Sequence, residues 1–204
     1  MHTQTKITQD KLTPADAHKI LVDGNHRFVQ NLKAQRNLKD QVLQTSDGQF
    51  PFAVILSCID SRVPAELVFD QGIGDVFSVR VAGNIINEDV LGSMEYACKV
   101  AGSKIVVVMG HTKCGAVTAA CKHVEMGNIT NLLQKIKPAV MSINDTERTF
   151  TDDEIEKVSS LNVQMSINRI RAESAILSEM EKNGDIEIVG SVYDVSTGLV
   201  RFFD

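Results

Sequence analysis

Two short apolar runs constrain this chain more than any other feature. Ala53-Val54-Ile55-Leu56 leads into Ser57-Cys58-Ile59-Asp60-Ser61-Arg62, and Ile105-Val106-Val107-Val108-Met109 leads into Gly110-His111-Thr112-Lys113-Cys114-Gly115. Continuous runs rich in Val and Ile, bounded by glycine or turn residues, are the pattern of strands buried on both faces of a parallel sheet. Open sheets of this kind build their sites at the carboxyl ends of the strands. Cys58, Asp60, His111 and Cys114 therefore stand where two neighbouring strands can present them to one point.

Thiolate, imidazole and carboxylate are the ligands of zinc, which favours four-coordination. If a helix begins at Thr112, His111 and Cys114 lie three apart near one helical face. If the first strand runs on past Ser57, Cys58, Asp60 and Arg62 alternate to one side. Arg62 offers a two-pronged donor to a carboxylate. Asp60 thus has two competing partners: it can close a zinc site as fourth ligand, or pair with Arg62 and leave a position open. Cys98 and Cys121 sit among helical apolar residues, and Cys121 lies two turns beyond Cys114. Both read as buried small hydrophobes.

The rest of the chain fits an α/β protein. Thr13-Pro14 starts a helix that runs to about Leu32. The residues before it, Met1 to Lys11, read as loose. Short helices are expected at Pro64–Phe69 and Gly115–Cys121, and a longer one from Asn87 to Val100. A further helix spans Asn128 to Asn144, kinked or divided at Pro138, and a polar connection follows from Asp145 to Phe150. A long helix runs from Asp152 to Asn183. Strands are expected at Val76–Val81 and Ile186–Asp194, with a last segment Leu199–Phe203 after a turn at Gly198. Alternating strands and helices give a mainly parallel sheet covered by helices on both faces. The 204 residues suit a single domain, 1–204.

Composition excludes several classes. The net charge is −5 and there is no basic run or Trp, which argues against a nucleic-acid binder. No apolar run reaches the length of a membrane span, and Met1 to Lys6 lacks a hydrophobic signal core. A cytoplasmic location follows as an expectation, where four cysteines serve as ligands or core residues before disulfides.

The Cys58-x-Asp60-Ser61-Arg62 and His111-x-x-Cys114 pair resembles the β-class carbonic anhydrases. The resemblance continues in Asp23-Gly24-Asn25-His26-Arg27-Phe28, Phe69-Asp70-Gln71-Gly72, Gly74-Asp75-Val76-Phe77 and Arg80-Val81-Ala82-Gly83-Asn84, and is close from about Leu12 to Ala120. It implies zinc-dependent, reversible hydration of carbon dioxide to bicarbonate and a proton, with Asp60 and Arg62 catalytic. It implies a substrate cleft lined by Gln49, Phe77, Ala82, Tyr96 and Gly115, with Gln49 donating a hydrogen bond. It further implies a homodimer or homotetramer with a sheet extended across the dimer and an N-terminal helical arm, residues 1–37, packed on a partner subunit. Two thiolate ligands cancel the charge of zinc, so activity is expected to favour alkaline pH. Two alternatives share the motif: a closed structural zinc site, and a hydrolase for carbon disulfide or carbonyl sulfide. Some bacterial members carry a second, inhibitory bicarbonate pocket with a Trp three positions before the first Cys ligand. Here Arg80 matches that pocket but Ile55 holds the Trp position, so inhibition of that kind is not expected.

Overall fold

A computed structural model describes residues 3–143 and 149–203. In chain order the elements are α1 (Lys6–Lys11), α2 (Pro14–Val29), α3 (Leu38–Gln44), β1 (Ala53–Ser57), α4 (Ala65–Val68) and β2 (Val76–Arg80). Then come α5 (Glu88–Glu95), β3 (Ile105–His111), α6 (Gly115–Cys121), α7 (Gly127–Leu133), α8 (Lys137–Ile143), α9 (Asp152–Glu173), α10 (Ala175–Lys182), β4 (Glu187–Tyr193) and β5 (Val200–Phe202). The strands form one sheet in the order β2-β1-β3-β4-β5. All pairings are parallel except β4 with β5, which turn back on each other through Gly198. The mainly parallel sheet read from the sequence is therefore present.

Every residue of β1 and β3 is buried, which is why their sequences are continuously apolar rather than alternating. Val54, Leu56, Val106 and Val108 face a core closed by α5, α9 and α10. Ala53, Ile55, Ile105, Val107 and Met109 face the core under α2 and α4. Each large aliphatic side chain fully buried this way contributes about 2 kcal/mol. A third cluster lies at the strand ends under α6 to α8 and holds Cys58 and Cys114.

Glycines allow two close approaches. A Cβ on Gly24 would fall 1.9 Å from the Phe69 carbonyl oxygen, so α2 can lie against the α4 turn only with glycine there. A Cβ on Gly110 would meet Val163 at 2.7 Å, so β3 can receive α9 only with glycine at that strand position.

Several expectations are corrected. Residues 3–11 are not loose: Thr5 caps α1 with a reciprocal Thr8 box, and buried Gln9 donates to the carbonyls of Pro51 and Ala101. The second helix ends at Val29 rather than Leu32, and α3 was not foreseen. The apolar face of α2 has a home within its own chain, since Ala17 and Leu21 are fully buried in the core under α2 and α4. The helix expected from Asn87 ends its α-form at Glu95 and continues to Val100 as a wider π-turn. Pro138 divides the next pair as expected, lying in the first turn of α8. Most of the polar connection expected after it falls on residues 144–148, outside the described residues. The long helix breaks at Ser174, whose backbone is extended. Its hydroxyl caps α10 through the Leu177 N–H and donates to Glu95, so a polar tie between elements replaces helix continuation.

Candidate metal centre

β1 stops at Ser57, so Cys58, Asp60 and Arg62 do not alternate along an extended strand as the spacing suggested. Instead Val63 N–H donates to Asp60 O at 3.0 Å, closing a turn, and Asp60 Oδ1 accepts the Arg62 N–H at 2.9 Å. An aspartate that bonds the backbone two residues on is a turn former by nature. The turn carries Cys58 inward and leaves Asp60 at the rim. Arg80 on β2 fixes it from the side, donating to the Cys58 carbonyl at 3.0 Å and to the Asp60 carbonyl at 2.6 Å.

The second half of the site also differs from the helical reading. β3 continues through His111, and α6 begins only at Gly115 with Cys114 as its cap. Between them Lys113 takes a left-handed backbone, φ 55°, a conformation that costs a residue with a Cβ about 1–2 kcal/mol. This reversal folds Cys114 back beside His111.

The outcome is a buried group in which one ligand atom each from Cys58, His111 and Cys114 lies within 4.8 Å of the others. His111 is wholly buried, and its Nδ1 lies 2.9 Å from the Thr112 carbonyl. A carbonyl only accepts, so Nδ1 is the donor and Nε2 of the neutral ring carries the lone pair. Nε2 makes no hydrogen bond. An orphaned imidazole nitrogen beside two thiols is the donor set zinc takes, so the residues present fit the ion. The thiols also respond to each other. A hydrogen bond from Cys114, outweighing burial, brings Cys58 down to about 4, with the Gly83 N–H (3.3 Å) adding to it. Cys114 is pushed up by the same pairing and by burial. Cys58 is therefore the more acidic thiol of the pair.

Asp60 does not join this group but borders it. Arg62 grips its carboxylate at both oxygens, Nε to Oδ1 at 2.9 Å and Nη2 to Oδ2 at 2.8 Å. That pairing, opposed by partial burial, holds Asp60 down at about 2. Asp60 Oδ2 lies 4.0 Å from His111 Nε2. The remaining cleft candidates are spread out. Phe77 and Tyr96 meet edge to face, centroids 6.3 Å apart. They line a shallow hollow of about 620 Å³ whose walls include none of Cys58, His111, Cys114 or Gln49. Gln49 is exposed on the connection before β1, Ala82 follows β2, and Gly115 is exposed at the start of α6.

One helix supports the site in a way the sequence reading missed. On α9, Glu156 accepts the Lys113 N–H at 2.8 Å, Ser159 donates to the His111 carbonyl at 3.1 Å, and Asn162 donates to the Gly83 carbonyl at 2.9 Å. The signal was there as polar residues three apart on the buried side of an otherwise apolar helical pattern.

The family model for carbonic anhydrases matches residues 53–200. The chain belongs to the β-carbonic anhydrase family. It is 37% identical to carbonic anhydrase 2 of Mycobacterium tuberculosis over 191 residues, covering 91% of this chain and 90% of that one. A β-carbonic anhydrase of Aspergillus fumigatus superposes with TM-score 0.71 at 28% identity, over 81% of each chain. A tetrameric β-carbonic anhydrase of Sordaria macrospora shares the fold at TM-score 0.71 and 22% identity, over 81% of this chain and 90% of that one. Membership makes zinc the metal that Cys58, His111 and Cys114 are suited to hold.

Proposed function

We propose that this chain catalyses the reversible hydration of carbon dioxide to bicarbonate and a proton, using zinc held by Cys58, His111 and Cys114. The observation that carries this reading is the separation of roles at the site. Three donors converge, while the fourth candidate, Asp60, is drawn aside by Arg62. A closed structural site would want Asp60 among the donors.

Bound zinc supplies Lewis-acid chemistry, lowering the pKa of water at an open coordination position. Around that position the chain does the positioning. Asp60, ionised and fixed in orientation by Arg62, is an acceptor for the hydrogen of an attacking water oxygen. The Arg62 guanidinium, about half exposed, places a positive charge at the rim that attracts bicarbonate as an anion. The buried walls of the group, including Ile85, Val117 and Ile136, keep its electrostatics strong by excluding water. Gly115, with open space where a Cβ would lie, lets a small substrate approach the backbone; Gln49, Phe77, Ala82 and Tyr96 stand apart from the ligand group within one chain, and in this reading the cleft is completed by a second copy.

We read residues 1–204 as one domain that acts as a homo-oligomer. Leu38, Val42 and Leu43 of α3 are exposed, as are Ile7 and Leu32 of the N-terminal arm, and β2 has a sheet neighbour on one side only. These features support a second copy pairing there, with residues 1–37 in the contact. The tetrameric Sordaria relative favours the same reading. Among the described residues no helix is long and apolar enough to cross a membrane, and four free buried thiols support a reducing, cytoplasmic setting.

Stopped-flow hydration of carbon dioxide by zinc-loaded and chelator-treated protein tests the proposal. Turnover that appears with one zinc per chain is expected. Zinc bound with no hydration at any pH from 7 to 9 would assign a structural metal instead, and turnover of carbonyl sulfide or carbon disulfide alone would change the substrate.

A further inference from the structure

Lys113 stands between the two halves of the metal centre and is held from outside it. Its left-handed backbone points its carbonyl at Arg62, which donates to it from Nη2 at 3.2 Å. The same nitrogen donates to Asp60 Oδ2 at 2.8 Å. The Lys113 N–H, in turn, donates at 2.8 Å to Oε1 of Glu156, a half-buried carboxylate on α9. Glu156 is outside the ligand group, and the Asp60 carboxylate bonds to Arg62 rather than to it. A carboxylate acceptor strengthens a backbone hydrogen bond and offsets part of the cost of the unfavourable turn.

We propose that Glu156 is a positioning residue that keeps the site open. It fixes the Lys113 turn, the Lys113 carbonyl fixes Arg62, and Arg62 holds Asp60 away from the metal position. With the acceptor gone, Lys113 relaxes toward an ordinary backbone conformation and Arg62 loses its second anchor. The Asp60 carboxylate, its Oδ2 only 4.0 Å from His111 Nε2, then needs a small swing to occupy the open position. The inference rests on the zinc reading given above and adds a residue to it that lies on a different element, 43 residues further along the chain.

The test compares Glu156→Ala and Glu156→Gln in the full-length, metal-loaded protein. A glutamine keeps an oxygen that accepts the same N–H, so it should rescue. Carbon dioxide hydration is read on the zinc form, and thiocyanate binding is read from the visible spectrum of the cobalt form, because an added anion needs the open position. For Glu156→Ala both kcat/KM and thiocyanate affinity should fall about tenfold, the size of one charge-assisted hydrogen bond. Metal content should match the parent, and the melting temperature should fall by no more than a few degrees. Glu156→Gln, which keeps the oxygen acceptor without the charge, should lie between the two and nearer the parent in both readouts, and adding Lys113→Gly, which removes the backbone strain, should restore Glu156→Ala. An alanine variant that binds thiocyanate like the parent overturns the inference. So does a glutamine variant as impaired as alanine, or an alanine variant that loses metal or unfolds, since each makes Glu156 a structural or purely charged group. If the parent hydrates no carbon dioxide, the functional reading fails separately, and thiocyanate binding still judges Glu156.

Discussion

Asp60 and Asp70 are both gripped by guanidinium, in settings that give the two pairings opposite uses. Asp60 pairs with Arg62, two residues away, at a rim where the arginine side chain is 48% exposed. Asp70 is 4% exposed and receives Arg27 Nε at 2.6 Å, Arg36 Nη1 at 2.6 Å and the Ala34 N–H at 3.1 Å. Its partners come from 34 to 43 residues upstream. They tie the end of α2 and the connection to α3 onto the loop after α4. Burial opposes the charge on Asp70, yet the two arginines and the amide still hold its carboxyl below the ordinary range. A local, wet pair is cheap to break and re-form, so it suits a group that must change partners. A distant, dry pair is costly to break, so it suits a lock. On the proposed reading the chain keeps its chemistry on the first kind, and it keeps its N-terminal architecture on the second.

The largest effect that would test this contrast is at the lock. Asp70→Ala leaves two guanidinium groups without their carboxylate, Arg36 among them at 8% exposure. Denaturant unfolding should show a loss of about 3–5 kcal/mol, while whatever remains folded keeps its metal centre. Next comes the rim. Asp60→Ala and Arg62→Ala should each lower kcat/KM for carbon dioxide hydration by about a hundredfold or more. Zinc content and unfolding midpoint should stay near the parent. If Asp60→Ala proves as destabilising as Asp70→Ala, the contrast fails.

A smaller effect concerns acid. The folded pKa of Asp70 lies below its unfolded value of 3.8. Its stabilisation is therefore fully present above that value and lost as pH falls through the folded pKa. The stability gap between parent and Asp70→Asn should be full above about pH 5 and shrink as pH falls below 3.8, as equilibrium melts at a series of pH values will show. The smallest effect is a proton count. Because their pairing holds Cys58 down and pushes Cys114 up, loading zinc near neutral pH should release about one proton per chain, from the Cys114 side. Calorimetry in buffers of different ionisation enthalpy measures it; release of none or of two contradicts that pairing.

Much of this was legible because it is local in sequence. Continuous apolar runs announced β1 and β3, and Cys58, His111 and Cys114 stood at their ends. The geometry joining them was not legible. Spacing offered an extended strand after Ser57 and a helix from Thr112. The chain uses an aspartate turn and a left-handed lysine instead, because both halves must bend inward to meet. The supports were hidden for a different reason. Glu156, Ser159 and Asn162 show in the sequence only as polar residues three apart on a helix, and what they hold appears when β3 and the Gly83 turn pack against them. The break at Ser174 was invisible because serine tolerates a helix interior, and only its bonds to Leu177 and Glu95 reveal a cap.

The central claim is that zinc is held by three residues while Asp60 is held off by Arg62, and a crystal structure of the zinc-loaded protein near pH 8.5 tests it most directly. The account predicts one zinc per chain on Cys58 Sγ, His111 Nε2 and Cys114 Sγ, with the Asp60–Arg62 pair intact. Zinc at another place, or Asp60 completing the coordination at that pH and at every higher one, would contradict it.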